Sequence, residues 1–180
     1  MQRKVTKIIL VCYNNLMVGE VKRKEIVVMK PYIHKVQYYE TDKMGITHHS
    51  NYIRWMEEAR VDFMEQIGWG YDKMEECGIL SPVIGVECEY KKTTRFNDRI
   101  RIELEVSGYN GVRLSFRYEM RDIYTENVVA VGESRHCFLS EEGTPMALRK
   151  QFPELDHVLK IGLKNDGEPD GEERMPKEAE

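Results

Sequence analysis

The hydrophobic period changes near residue 78, and that change limits the folds open to this chain. Upstream, Tyr52, Met56, Ala59, Phe63 and Ile67 recur at helical spacing, with Trp55 and Met64 widening the stripe. Arg54, Glu57, Glu58 and Glu65 lie mostly off it. The spacing predicts an amphipathic helix of about four to five turns, stopped by Gly68 and Gly70. Downstream the period is two. Ile100, Ile102, Leu104 and Val106 alternate with charged residues, as do Val112, Leu114, Phe116, Tyr118 and Met120 with mostly polar ones. Asn110-Gly111 between these runs is a strong hairpin signal. Strands this close in sequence pair antiparallel, because parallel strands need long crossovers. The alternation gives the sheet one apolar face, and one long apolar-striped helix is available to cover it. The expected architecture is an α+β layer in which the sheet wraps around that helix.

Other elements fill in around these signals. Aromatic and β-branched residues predict a first strand over 32–39. A loop over 40–49, with Gly45 in its middle, leads to Ser50 or Asn51 as a helix N-cap. A short second helix is predicted over 71–77, strands over 82–92 and near 128–139, and a short strand piece with a closing helix over 145–160. The 180 residues, 41% of them hydrophobic, suffice for one domain with a sizeable core and appendages. That domain is expected over residues 31–163. Residues 1–30 are expected to be an N-terminal extension that carries no chemistry. Their apolar run ends at Tyr13-Asn14-Asn15, too soon for a secretory signal, and Met29 is a second candidate initiator. Residues 164–180, rich in Glu, Asp, Lys, Gly and Pro, are expected to form a disordered acidic tail.

Composition excludes several classes. With 31 acidic and 27 basic residues the net charge is −4, without the basic excess of a dedicated nucleic-acid binder. No apolar run approaches the ~18–20 residues needed to cross a bilayer. Cys12, Cys77, Cys88 and Cys137 form no C-x-x-C pair, which argues against a zinc ribbon or dithiol motif and fits reduced cysteines of a cytoplasmic protein.

Polar residues crowd the loop before the long helix: Glu40, Thr41, Asp42, His48, His49, Ser50 and Asn51. Backbone N–H groups and the positive dipole end at a helix start can stabilise a carbonyl oxygen that develops negative charge. A carboxylate beside them could act as nucleophile or as general base toward water. Asp42 is placed for that role, and equally for capping a turn. Glu57 and Glu58 are rival carboxylates, better explained by contacts of the helix surface with Arg54 and Arg60. Asp42, His48 and His49 lack the ligand count and spacing of a zinc site.

The run Tyr39-Glu40-Thr41-Asp42-Lys43-Met44-Gly45-Ile46-Thr47-His48-His49-Ser50-Asn51-Tyr52 resembles the signature of hotdog-fold acyl-CoA thioesterases, in the 4-hydroxybenzoyl-CoA thioesterase-like, YbgC-like branch. The following Arg54-Trp55-Met56-Glu57-Glu58-Ala59-Arg60 resembles the family's central helix, and Glu89-Tyr90-Lys91-Lys92 with Arg95 and Asp98 its sheet. The resemblance spans about residues 32–139. It implies Asp42 as the catalytic carboxylate and Gly45 as the turn that lets substrate approach. It implies His49 as the residue whose backbone N–H faces the thioester carbonyl, with Asn51 and Tyr52 opening the central helix at the substrate. Lys91, Lys92 and Arg95 become candidate contacts for the phosphates of coenzyme A. Glu40 stands where many members carry Asp, and Thr47-His48 replaces the usual apolar or aromatic pair. These departures bear on acyl specificity. The resemblance further implies a homodimer or homotetramer, and no cofactor apart from the coenzyme A of the substrate. A non-enzymatic acyl-CoA-binding hotdog domain would not need Asp42. A hotdog enoyl-CoA hydratase would place Asp and His one residue closer than Asp42 and His48 are.

Overall fold

The structure, a computed structural model, describes residues 8–10 and 26–164. In chain order it contains β1 (Ile8–Leu10), β2 (Ile26–Val28), β3 (Tyr32–Lys35), a 3-10 turn (Tyr38–Glu40), α1 (Ser50–Gln66) and α2 (Tyr71–Glu76). There follow β4 (Val83–Tyr90), β5 (Arg99–Tyr109), β6 (Arg113–Asp122), β7 (Val128–Cys137), α3 (Leu148–Gln151) and α4 (Pro153–Lys164). β1 and β2 pair antiparallel as a separate ribbon. The rest of the expected N-terminal extension, and the expected tail beyond residue 164, lie outside the described residues.

β3, β5, β6, β7 and β4 form, in that order, one antiparallel sheet. Alternation decides which face is covered. Ile100, Ile102 and Val106 of β5 and Leu114, Phe116, Tyr118 and Met120 of β6 are buried. Trp55, Met56, Ala59, Phe63 and Met64 of α1 are buried too, and the Phe63 and Phe116 rings meet edge to face at 5.4 Å. Each Ile, Leu, Val, Phe or Met side chain among them contributes roughly 1.5–3 kcal/mol when withdrawn from water. α1 crosses the sheet closely at Gly132 of β7. A Cβ there would sit 2.9 Å from the Glu87 carbonyl oxygen and 3.0 Å from Met56 Sδ, so only glycine fits. Beside this contact runs a buried polar chain. The Tyr118 hydroxyl and Ser134 Oγ are 2.7 Å apart, Ser134 Oγ and His136 Nε2 2.7 Å, and His136 Nε2 and Arg60 Nη1 3.4 Å. Arg60 donates from Nε to the Tyr71 hydroxyl at 2.8 Å.

Three local expectations change, and the strand order adds a feature that periodicity leaves open. The first strand ends at Lys35 rather than Tyr39, because the Glu40 carboxylate turns back and accepts the Gln37 N–H at 2.6 Å. That contact wraps Tyr38–Glu40 into a 3-10 turn. The α1 N-cap is His49, which makes no side-chain capping bond, so Ser50 and Asn51 are already helical. The strand piece expected after residue 145 is a single bridge between Leu139 and Pro145. Finally, β4 does not lie beside β5. It pairs with β7 at the far edge, and residues 91–98 carry the chain across to β5. That crossing brings Thr94, Arg95 and Asp98 under the loop that precedes α1.

Candidate active site

The loop over 41–49 is built on Asp42. Its N–H donates to the Ile46 carbonyl at 2.9 Å, and its own carbonyl accepts the Gly45 N–H at 2.9 Å. Oδ1 accepts the Met44 N–H at 2.7 Å, an Asx turn. Among the described residues nothing donates to Oδ2. One carboxylate oxygen therefore fixes the turn and the other is available. Gly45 has φ +70°, a left-handed conformation in which a side chain is strained. Its carbonyl accepts a long 3.4 Å bond from Arg95 Nη1.

The loop is fastened at both ends. The Glu40 carbonyl accepts the His48 N–H and Asn51 Nδ2, each at 2.8 Å. At the other side the Thr47 N–H donates to the Thr94 carbonyl at 2.8 Å, Thr94 Oγ1 donates to Thr47 Oγ1 at 2.6 Å, and the Tyr52 hydroxyl lies 2.9 Å from Thr94 Oγ1. Asn51 and Tyr52 are buried and spend their polar atoms on this scaffold. His49 is exposed and its ring lies on His48 at 4.2 Å. Its carbonyl accepts the Tyr90 hydroxyl at 3.2 Å. Among the described residues no acceptor takes the His49 N–H, one of the free donors that a helix start presents.

A cavity of about 220 Å³ opens here, lined by Ile46, Thr47, His49, Tyr52, Tyr90, Lys91, Lys92 and Thr93. It gathers His49, Tyr52, Lys91 and Lys92 in one place. Asp42, Gly45 and Arg95 sit on the adjoining loop and crossing segment rather than in its wall, and Asn51 lies beneath. Lys91 is held by Glu89, while Lys92 makes no ion pair among the described residues. The Tyr90 phenol is pushed up by burial and by neighbouring Cys88, and Tyr52 by burial against weaker lowering bonds from Thr94. Both remain neutral donors at physiological pH.

Glu58 belongs elsewhere. With Tyr32, Arg54, Glu57, Val61, Asp62 and Glu65 it lines a second cavity, of about 510 Å³, on the outer face of α1. Its Oε2 accepts the Tyr32 hydroxyl at 3.0 Å and faces His34 Nδ1 at 2.9 Å.

Sequence patterns missed Tyr90, Thr94 and the role of the Glu40 side chain. Tyr90 lies in the run Glu89-Tyr90-Lys91-Lys92, but its reach to His49 depends on β4 lying at the sheet edge. Thr94 touches partners 47 and 42 residues away, which no local pattern encodes. In the sequence Glu40 stands out only as a departure from the family pattern. It is buried, and its Oε1 accepts Trp55 Nε1 at 2.7 Å.

An antiparallel sheet packs against one long helix, and among the described residues one Asp42 carboxylate oxygen and the His49 N–H stand unengaged at that helix's start. Comparison with known proteins gives the family. The thioesterase-like superfamily model matches residues 36–161, and the chain belongs to that family. YneP of Bacillus subtilis (strain 168), whose name assigns it an acyl-CoA thioesterase activity provisionally, is 33% identical over 120 residues, 67% of this chain and 87% of that one. The acyl-CoA thioesterase YbgC of Haemophilus influenzae is 24% identical over 128 residues, 70% of this chain and 93% of its own. Among solved structures, a DHNA-CoA thioesterase from Staphylococcus aureus superposes with a TM-score of 0.72 at 29% identity, covering 78% of this chain and 95% of that chain. The fold is the hotdog fold.

Proposed function

We propose that this chain is an acyl-CoA thioesterase that hydrolyses the thioester of an acyl- or aroyl-CoA to the free acid and coenzyme A. The observation that carries the reading is the pairing of a free Asp42 Oδ2 with an unengaged His49 N–H on one short loop. The N–H receives the carbonyl oxygen as it becomes an oxyanion. Asp42 either attacks the carbonyl carbon or removes a proton from the attacking water. In both routes the C–S bond breaks, the thiolate leaves as coenzyme A, and one water is consumed. Gly45, Asn51 and Tyr52 shape the approach. Lys91, Lys92 and Arg95 are exposed cations on the crossing segment, suited to the phosphates of coenzyme A. The reaction takes no cofactor beyond the coenzyme A of the substrate.

The same reading makes the enzyme a cytoplasmic homodimer or homotetramer. β4 is a sheet edge that leaves Val83, Ile84, Val86 and Tyr90 between 38% and 51% exposed, and open apolar edges recruit partners. No helix among the described residues is long and apolar enough to cross a membrane. The test is a thiol-release screen over acyl- and aroyl-CoA esters, with wild type beside the double variant Lys92→Glu, Arg95→Glu. The wild type should turn over at least one ester class. The double variant should raise KM about tenfold or more with kcat largely kept. No release from any ester would overturn the activity, and an unchanged KM would overturn the phosphate contacts.

A further inference from the structure

We propose that His34 is a positioning residue that sets the catalytic loop by bridging Glu40 to Glu58 of α1. The proposal rests on the thioesterase reading above. His34 is buried on β3, its ring 4.5 Å from the Trp55 indole. Nε2 lies 2.9 Å from Glu40 Oε2 and Nδ1 2.9 Å from Glu58 Oε2. Ionised carboxylates only accept, so the ring satisfies both neighbours when each nitrogen carries a proton. The remaining groups around it are consistent. Tyr32 donates to Glu58, Asp62 adds negative charge on the same helix face, and the strand residue opposite on β5 is Ile100. Burial opposes ionisation of Glu40, but the Trp55, Gln37 and His34 hydrogen bonds outweigh it and hold that carboxyl below the usual range.

Glu40 transmits this to the active site. Its carboxylate is tied to β3 by His34, to α1 by Trp55 and to its own turn by Gln37. Its carbonyl then closes the loop through His48 and the helix start through Asn51. Asp42 is two residues further on. Displacing Glu40 moves the anchor of both the carboxylate and the His49 N–H, and misplacement by about 1 Å can cost up to ~10²-fold in rate. Glu58 and His34 thus reach the reaction without touching the cavity beside His49.

Three measurements on the full chain test this. Long-range nitrogen-15 NMR of the wild type should show both His34 ring nitrogens hydrogen-bonded; a ring nitrogen free of a hydrogen bond overturns the bridge. Glu58→Gln, at a half-exposed site that folding tolerates, should lower kcat about three- to tenfold with KM within twofold. His34→Gln, which cannot span both carboxylates, should lower it further with the same KM. Unchanged kcat in Glu58→Gln, or a loss that tracks a rise in KM or unfolding at the assay temperature, overturns the proposal. Asp42→Asn run alongside separates the two readings. A far larger loss at Glu58 than at Asp42 would make Glu58 the catalytic carboxylate and end both, whereas inactivity of the wild type would end the thioesterase reading while NMR still reports the bridge.

Discussion

Burial on β7 and the neighbouring Arg60 guanidinium push the His136 imidazole from its ordinary 6.5 down to about 4. The folded protein holds this ring neutral, whereas the unfolded chain protonates it below about pH 6.5. Between those values the unfolded state binds the extra proton, so stability falls as pH falls from about 6.5 to about 4. A displacement of that size is worth roughly 3 kcal/mol. Melting temperature should therefore drop across this window in wild type, and the slope should be shallower in His136→Gln. Equal slopes would contradict the account. The same residue shows what sequence reading misses. On an alternating strand His136 reads as one more inward side chain, and its partner Arg60 and the Phe116 ring against it lie 76 and 20 positions away. At Asp42 more was legible. Asp, Gly and the helix start stand in one run, so the turn could be expected, and a role for its carboxylate proposed, before any coordinates. The scaffolding by Glu40 and Thr94 could not, since it is made by residues brought together only by the fold.

At the scale of elements, periodicity located α1 and the three-strand meander of β5, β6 and β7, because those patterns are local. It did not place β4, whose position is decided by pairing with β7 rather than by its own residues. The close crossing of α1 over β7 was equally hidden, although it governs packing. Gly132→Ala places a methyl against the Glu87 carbonyl, which is backbone and cannot yield without disturbing the β4–β7 ladder. The expected loss is about 1–3 kcal/mol, read as a lower denaturation midpoint at constant slope. A midpoint equal to wild type would show that the helix and sheet are less tightly apposed than the 2.9 Å and 3.0 Å approaches at Gly132 require.

For the molecule as a whole, β4 is an edge strand whose apolar side chains stand exposed, and the proposed assembly would use it. Pairing two copies there would cover Val83, Ile84, Val86 and Tyr90 and give each sheet a continuous neighbour. Light scattering coupled to size exclusion should give at least twice the chain mass, and Ile84→Lys with Val86→Lys should shift it toward one chain. A wild type that is monomeric and fully active would contradict the paired arrangement.

In the proposed reaction Asp42 carries the chemistry. Asp42→Asn preserves size and can still accept the Met44 N–H, but it has no carboxylate. On an accepted acyl-CoA its kcat should fall at least ~10²-fold, with KM changed only modestly and the melting temperature nearly unaltered. Near-full turnover by the Asp42→Asn enzyme would contradict it.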